Sequence, residues 1–237
     1  MKIFGIEIDD LSREDIISRI REFLEESRFH RIATVNPEFL LRAEKDGAFR
    51  RALLDADLRI ADGFGIVLAG LFQGKFIHRF PGADLIDEVL HIAEKNNLGV
   101  YLAIRKDGLS SYEEIKAVLQ KEYSRLIIDG ADIDPKYSES YKLQATSYKL
   151  VLCNFGAPEQ EIFLDGLKDQ DGIRLAMGVG GSLDYLTGRQ KRAPKLLRTL
   201  GLEWLWRLIL QPKRWRRIWN ATIVFPLKII GNVKPPR

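Results

Sequence analysis

Cysteine and histidine are scarce in this sequence, and their scarcity excludes two kinds of site. Among its 237 residues there is one cysteine, Cys153, so a disulfide cannot form within the chain. Only three histidines accompany it, and no zinc-ligand spacing can be assembled from them. The first residues are predicted to form a strand and lack the apolar core of a signal peptide. We therefore expect a reducing, cytoplasmic setting.

Long apolar runs are also missing. The longest run, from Ala221 to Ile230, has about ten residues and contains Pro226 and Lys228, whereas a membrane-spanning helix needs roughly twenty apolar residues. This segment is long enough to lie on a membrane surface but too short to cross a bilayer.

Acidic residues are nearly absent from one part of the C-terminal region. From Arg189 to Arg217 there are ten basic residues and a single acid, Glu203, although the net charge of the whole chain is only +4. Such a basic block favours anionic partners, which include phosphates, lipid headgroups and nucleic acids.

The remaining sequence is typical of a folded α/β protein. Its 46% hydrophobic and 30% charged residues are enough for a sizeable core. Short β-branched runs alternate with helical patterns, which predicts a mostly parallel, Rossmann-like sheet flanked by helices. The predicted strands are residues 2–8, 31–35, 58–61, 100–104, 125–129, 149–153 and 174–177. A helix is predicted to begin after Ser12, and others at 38–46, 49–55, 65–72, 83–95, 112–123, 138–146 and 158–167.

The pattern changes after Gly188. From Pro194 onward the strand signal disappears, and leucines and tryptophans are mixed with arginines. Because a proline often begins a new helix, we place a boundary there. The sequence therefore predicts an α/β catalytic domain at 1–193 and an amphipathic helical segment at 194–237, which we call the appendage.

The composition of the appendage has two interpretations. Its arginines and four tryptophans could form an interfacial helix on an anionic membrane. The same residues could bind a nucleic-acid backbone while the indoles stack on bases. The apolar segment from Ala221 to Ile230 has no use on DNA, so we favour the membrane and expect no nucleic-acid partner.

Polar residues and glycines follow several predicted strands. Ligands of open parallel sheets bind outside the carboxyl ends of the strands, so these loops are the places to inspect. The residues that stand out in them are Thr34, Asn36, Asp62, Gln160, Gly178, Gly180 and Gly181.

Asp62 is the sharpest candidate for chemistry. A carboxylate at a strand end, followed by Gly63 and Gly65, can face a ligand and take a proton from an attacking hydroxyl. The same carboxylate could instead cap the helix that begins near Gly65, and the two interpretations are compatible.

Three other patterns have weaker functional interpretations. The turn from Gly178 to Ser182 resembles a phosphate-binding loop, although Leu183 departs from a dinucleotide fingerprint and a purely structural turn stays an alternative. Asp-x-Asp pairs, at residues 55 and 57 and at 132 and 134, are more typical of surface turns than of metal ligands. Cys153 is expected in the core, and His78 and His91 are expected to face solvent.

Taken in order along the chain, a set of motifs resembles the WecG/TagA/CpsF family of glycosyltransferases, glycosyltransferase family 26. The resemblance runs from about Lys2 to Arg217 and rests on Thr34, Asn36, Pro37 and Glu38; Ala61, Asp62, Gly63 and Gly65; Arg79, Gly82, Asp84 and Leu85; Gly156, Ala157, Pro158, Gln160 and Glu161; Gly178, Gly180 and Gly181; Arg192, Ala193 and Pro194; and Gly201, Glu203, Trp204 and Arg207.

The resemblance implies an inverting transfer that needs neither a metal nor a cofactor. The donor would be a UDP-sugar, typically UDP-N-acetylmannosamine or its uronate, and the acceptor N-acetylglucosamine on undecaprenyl diphosphate, in the synthesis of a surface polysaccharide. The appendage would close over the site and touch the inner face of the plasma membrane. The sequence leaves the oligomeric state open, including a homo-oligomer.

The resemblance also implies roles for individual residues. Asp62 matches the family's proposed base. Pocket-lining residues of the family match Thr34, Asn36, Arg79 and Gln160, and arginines thought to reach the diphosphate match Arg207, Arg214 and Arg217. Guanidinium groups there would stabilise the leaving UDP where no metal does so.

The sequence departs from the family pattern in two loops. Ala103, Ile104 and Arg105 stand where a glycine pair is usual. Glu159 stands where a basic residue is common, and Asn154 and Phe155 stand where smaller apolar residues are usual. We interpret these changes as an altered donor or acceptor. The alternative is a non-catalytic peripheral membrane-binding protein with the same fold.

Overall fold

The computed structural model describes residues 1–140, 143 and 148–232, and its central feature is a six-stranded sheet. The strands of this sheet are β3 (His30–Val35), β4 (Leu58–Ala61), β5 (Gly99–Arg105), β6 (Ile128–Ile133), β7 (Tyr148–Cys153) and β8 (Leu175–Gly178). They lie in the order β4-β3-β8-β7-β5-β6, and every neighbouring pair is parallel. The predicted fold class is therefore confirmed.

Helices cover both faces of the sheet. They are α1 (Arg13–Glu25), α2 (Pro37–Ala43), α3 (Gly47–Leu54), α4 (Phe64–Phe72), α5 (Gly82–Lys95), α6 (Tyr112–Glu122), α7 (Glu159–Asp165) and α8 (Leu183–Leu186). Alternate strand residues face opposite sides. Ile32 of β3 thus packs in a core with α1, α5 and α6, whereas Ala33 packs in a second core with α2, α3 and α4.

The first predicted strand, residues 2–8, is wrong. The structure has instead a hairpin of two short antiparallel strands, β1 (Lys2–Ile3) and β2 (Ile6–Glu7). Phe4 and Gly5 form its turn, with φ angles of 47° and 81°. Because a glycine adopts a positive φ without steric cost, the chain reverses there, and Ile3 and Ile6 still reach the core.

Two other predicted elements differ from the structure. The strand predicted at 125–129 is β6, which begins three residues later and extends through Gly130 and Asp132 to Ile133. As the edge strand of the sheet, it tolerates these polar and small residues. In place of the start of the helix predicted at 138–146 there is a 3-10 helix at Pro135–Ser140, and 141–142 and 144–147 lie outside the described residues.

The described part of the C-terminal segment is helical. It contains α9 (Lys195–Thr199), α10 (Glu203–Leu210), α11 (Trp215–Trp219) and α12 (Phe225–Asn232), with a 3-10 turn at Pro212–Arg214 and a π-helical turn at Asn220–Val224. None of the described helices is long and apolar enough to span a bilayer.

Two residues of α12 fix the appendage to the α/β body. Phe225 is fully buried and Ile229 nearly so, and both share an apolar cluster with Ile66 and Ala69 of α4. The ring of Phe225 also meets the edge of Phe4 at 5.9 Å between centroids. Part of the apolar C-terminal run is therefore core rather than surface.

The buried ring of Phe225 gives a test of this packing. We expect Phe225→Ala to lower the free energy of unfolding by about 3 kcal/mol, because the substitution leaves a cavity between α12 and α4. Urea unfolding followed by circular dichroism measures the change. Leu227→Ala is the matched control, since Leu227 lies on the same helix but is 64% exposed, and it should cost less than about 1 kcal/mol. Equal losses in the two variants would contradict the packing.

Candidate active site

A cleft of about 390 Å³ lies beyond the carboxyl ends of β3 and β4, and the appendage forms its other wall. The body contributes Asn36, Pro37, Glu38, Asp62, Gly63, Phe64, Gly65, Leu68 and Arg79. The appendage contributes Gly201, Glu203, Trp204, Arg207, Arg214, Arg217, Ile218, Ala221, Thr222 and Pro226.

Two other cavities are at least as large, at about 410 and 580 Å³. Neither is lined by any of the predicted site residues. The larger one is lined by Leu98, Arg125 and Arg174, just before β5, β6 and β8, so it lies at the amino ends of the strands. Because ligands of parallel sheets bind at the carboxyl ends, we take the cleft between the body and the appendage as the candidate site.

Asp62 lies at the inner end of the cleft. It follows β4 directly, and its backbone N–H donates to the carbonyl of Val35 at 2.8 Å, which ties it to β3. The backbone N–H of Gly82, the first residue of α5, hydrogen-bonds to its carboxylate. The interpretation of Asp62 as a helix cap is wrong, because Gly63, with a φ of 102°, is the N-cap of α4 and no side chain caps that helix.

The surroundings of Asp62 raise the pKa of its carboxyl group to about 6. Loss of hydration is the largest cause, because it disfavours the charged form. Arg207 opposes this effect, Glu203 adds to it, and Arg79 and the Gly82 N–H oppose it further. The carboxylate is therefore a stronger base than an exposed aspartate and is still mainly ionised at neutral pH.

Three arginines of the appendage line the same cleft as Asp62. Arg207 pairs with Glu203 at 2.8 Å, and Arg217 donates two hydrogen bonds to Glu38, at 2.8 and 2.5 Å. The pKa of Arg214 is lowered by burial and by repulsion from Arg217 and Arg207. With Arg79, four guanidinium groups meet three carboxylates in this cleft, and the crowding of like charges favours an anionic ligand.

Asn36 and Arg79 also line the cleft, but Asn36 has a structural role as well. Its side-chain oxygen accepts from the Phe39 N–H at 3.1 Å and caps α2, whose first residue is Pro37. Thr34 does not line the cleft. It is buried in β3 next to Gly82, where an added Cβ would lie 3.4 Å from its side chain.

Gln160 lies away from the cleft and joins two loops. It is 2% exposed, and its carbonyl oxygen accepts from the backbone N–H groups of Gly156 and Gly180, at 3.1 and 3.2 Å. Its amide donates to Glu161 at 2.8 Å. All of these contacts are internal, so the structure shows Gln160 as a link between the loops after β7 and β8.

The glycine turn after β8 is packed by its neighbours. A Cβ on Gly178 would overlap the side chains of Gln160 and Glu161, so only glycine fits there. Gly180 adopts a φ of 48° and begins a 3-10 turn with Gly181, which leads into α8. None of these three glycines lines the cleft that contains Asp62. Their phosphate-binding role stays a prediction.

The weaker candidates are used structurally. Asp57 accepts from the Arg31 N–H at 2.8 Å, and Asp132 accepts from the Tyr112 N–H at 2.9 Å. Within the described parts of the chain, no group of three or more histidine, cysteine, aspartate or glutamate side chains could hold a metal ion. Cys153 is fully buried, which raises the pKa of its thiol, whereas His78 and His91 are exposed as predicted.

The two segments that depart from the family pattern contact each other. The Arg105 N–H donates to the side chain of Asn154 at 2.7 Å, and the Arg105 guanidinium donates to the Phe155 carbonyl at 2.6 Å. The expectation that residues 103–105 form a loop is wrong, because they are the last three residues of β5, and Arg105 at its end contacts the residues that follow β7.

Sequence reasoning named Glu38 and Glu203 within the family motifs but did not assign either glutamate to the cleft. Glu203 carried a signal, since it is the only acid in the basic block from Arg189 to Arg217. Its position four residues before Arg207 on a helix predicts their ion pair. Glu38 gave a weaker signal in the sequence, because its partner Arg217 is 179 residues away.

The raised pKa of Asp62 predicts a cost in stability. Above about pH 6 its ionised form is less favourable in the folded chain than in the unfolded one, where the pKa is 3.8. We expect Asp62→Asn to stabilise the fold by about 1–3 kcal/mol near neutral pH, and to lose that gain below about pH 4, where both states hold a protonated carboxyl. Urea unfolding at the two pH values measures this difference.

Asp107→Asn is the control for this experiment, because Asp107 is an exposed carboxylate in the turn after β5. Its substitution should leave stability unchanged at both pH values. A loss of stability in Asp62→Asn near neutral pH would contradict the raised pKa.

The family model described as glycosyl transferase WecG/TagA/CpsF family matches residues 1–237. Since the match covers every residue of the sequence, this chain belongs to the WecG/TagA/CpsF family of glycosyltransferases.

Proposed function

We propose that this glycosyltransferase of surface polysaccharide synthesis moves a sugar of the N-acetylmannosamine type from a UDP-sugar to a sugar carried on polyprenyl diphosphate. Family membership supports the transferase activity. The observation that carries the rest is the cleft that Asp62 shares with Arg207, Arg214 and Arg217. It combines a basic carboxylate with an excess of guanidinium groups.

In the proposed reaction, the carboxylate of Asp62 removes the proton from the acceptor hydroxyl. The hydroxyl oxygen then forms a bond to the anomeric carbon as the bond from that carbon to UDP breaks, so the configuration inverts in a single displacement. This step needs one base and no covalent nucleophile. The pKa near 6 suits the task, because the group is ionised at neutral pH yet still basic.

The arginines of the cleft would stabilise the departing diphosphate. Developing charge on the leaving UDP is best stabilised by donors that are already in place. The ion pairs with Glu203 and Glu38 hold Arg207 and Arg217 at the cleft before a ligand arrives. A diphosphate offers these guanidinium groups stronger, bidentate acceptors than the glutamates do. The residues thus supply the charge that a metal ion would otherwise provide.

The acceptor in this proposal is a lipid, and the appendage supports that choice. Trp215 and Trp219 are each 55% exposed, and the exposed Lys213 and Arg216 lie beside them. Tryptophan and basic side chains together are typical of the headgroup region of an anionic membrane. We therefore propose that the protein works at the inner face of the plasma membrane without crossing it.

Loss of the base should abolish turnover. We expect Asp62→Asn to lower kcat by about 100-fold or more while UDP binding persists, because the amide keeps the shape of the carboxylate but cannot accept the proton. Turnover is measured with a panel of UDP-sugars and N-acetylglucosamine on a short polyprenyl diphosphate. Asp107→Asn should match the unchanged protein. Equal rates with and without the Asp62 carboxylate would exclude it as the base.

The same assay separates the alternative, a non-catalytic membrane-binding protein. Ala103, Ile104 and Arg105 favour this alternative, because they stand where the resemblance implies a glycine pair. Absence of turnover with every UDP-sugar, together with retained vesicle binding, would support it.

The pH profile should respond in opposite directions to two substitutions. We expect kcat/KM to fall as the pH drops through about 6, where Asp62 takes up its proton. Arg207→Gln should raise that apparent pKa, since it removes the attraction that lowers it, and Glu203→Gln should reduce it, since it removes a repulsion. Profiles measured under subsaturating substrate report these shifts. Shifts of the same sign in both variants would contradict the assignment of the acid limb to Asp62.

A further inference from the structure

The outer face of α4 is apolar, which is unusual for a surface helix. This helix, Phe64–Phe72, contains only apolar residues and glycine. Its inner face is buried, with Ile66, Ala69 and Gly70 in the core. Its outer face carries Phe64, Leu71 and Phe72, which are 46%, 55% and 43% exposed. A surface helix normally has a polar outer face, so this one fits an apolar partner.

The apolar surface continues onto α12, which packs beside α4. Phe225 and Ile229 of α12 share a buried cluster with the inner face of α4. Leu227 and Ile230, on the outer side of α12, are 64% and 53% exposed. Phe76, four residues beyond α4, is 66% exposed. We call the exposed residues Phe64, Leu71, Phe72, Phe76, Leu227 and Ile230 the α4–α12 surface.

The candidate site opens beside this surface, between α4 and the part of the appendage that leads from α11 into α12. Phe64 and Leu68 of α4 line one side of the cleft, and Ile218, Ala221 and Pro226 of the appendage line the other. The charged lining described above includes Asp62 and the arginines. The cleft therefore has an apolar part and a charged part, as a site for a charged group on a lipid requires.

We propose that the α4–α12 surface inserts into an anionic phospholipid membrane, so that a lipid-linked substrate enters the cleft sideways between α4 and the appendage. The lipid-linked substrate in this proposal rests on the proposed function, whereas the insertion of α4 does not. The catalytic domain would then contribute to membrane binding directly, in addition to the appendage.

Charge favours a membrane over a second copy of the chain as the occupant. Lys75, next to Phe76, and Lys213 and Arg216 of the appendage are exposed. These cations would meet anionic headgroups around an inserted apolar surface. Two copies joined through the same surface would instead bring like charges together.

The single cysteine allows insertion to be measured residue by residue. Cys153 is fully buried, so a cysteine placed at the surface can be labelled with an environment-sensitive fluorophore while the unchanged chain serves as the blank. The sites are Phe72→Cys on α4, Leu227→Cys on α12 and Ile127→Cys as the matched control. Ile127 is 54% exposed but precedes β6, at the amino ends of the strands and on the sheet edge opposite β4.

On vesicles of phosphatidylglycerol and phosphatidylcholine, we expect the labels at residues 72 and 227 to shift to shorter emission wavelengths and to be quenched by acyl-chain quenchers. The label at residue 127 should do neither. If the label at residue 72 stays as exposed as that at 127, while 227 inserts, the appendage alone binds the membrane and the proposal is wrong. A label at residue 72 that is shielded without vesicles, in proportion to protein concentration, would assign the surface to a second copy.

A second variant tests the energetic contribution of α4. We expect the double substitution Leu71→Ser and Phe72→Ser to weaken partitioning onto anionic vesicles by about tenfold, since two large apolar side chains lose their burial in lipid. Its thermal unfolding should match that of the unchanged chain, because both side chains are exposed. Unchanged partitioning would overturn the proposal.

Activity separates this inference from the proposed function. The double variant should keep its turnover with a short, water-soluble acceptor and lose turnover with a long-chain acceptor in vesicles. If no acceptor is used even by the unchanged protein, the proposed function fails, while the vesicle measurements still decide whether α4 inserts. Equal losses with both acceptors would show that the substitutions damage the site instead of membrane contact.

Discussion

The apolar packing of α12 against α4 is the contact on which the candidate site depends, because it brings the C-terminal arginines to Asp62. Phe225 and Ile229 bury their side chains beside α4, and each such side chain contributes about 2 kcal/mol or more. The exposed ion pair between Lys228 and Glu44 adds less, about 1 kcal/mol at most. Gly201 of the appendage also packs closely against the ring of Phe64 in α4, and any side chain at residue 201 would overlap that ring. Hydrophobic burial thus positions the appendage, and the charged side chains of the cleft are placed by that packing.

The charged side chains of the cleft interact with one another, so an anion bound to one of them would affect the others. Glu203 and Glu38 occupy Arg207 and Arg217 in the free protein, and the same Arg207 holds down the pKa of Asp62. A diphosphate bound to Arg207 would weaken that attraction, so the pKa of Asp62 would rise and its carboxylate would become more basic. Binding of an anion at Arg207 and the pKa of Asp62 would therefore be coupled through one guanidinium group.

The fold and part of the site could be predicted from the sequence, because both depend on local periodicity. Alternating strand and helix patterns predicted the parallel sheet, and the strand-end rule selected Asn36 and Asp62 correctly as residues of one cleft. The same rule also selected Gln160, which does not line this cleft and links two loops, and its role toward a ligand stays a prediction. Contacts across the chain, such as Glu38 with Arg217, were not predictable, since they depend on how the appendage docks.

Arg105, at the end of β5, contacts the residues that follow β7. The backbone N–H of Arg105 donates to the side chain of Asn154 and its guanidinium donates to the Phe155 carbonyl, so Arg105 joins the end of β5 to the loop after β7. Arg105 ends β5 and Asn154 follows β7, whereas Asp62 and Asn36 follow β4 and β3, and β8 separates β3 from β7 in the sheet. Substitutions at the end of β5 and after β7 therefore lie away from Asp62 in the sheet. The cleft that holds Asp62 and the three arginines of the appendage is therefore built independently of these substitutions.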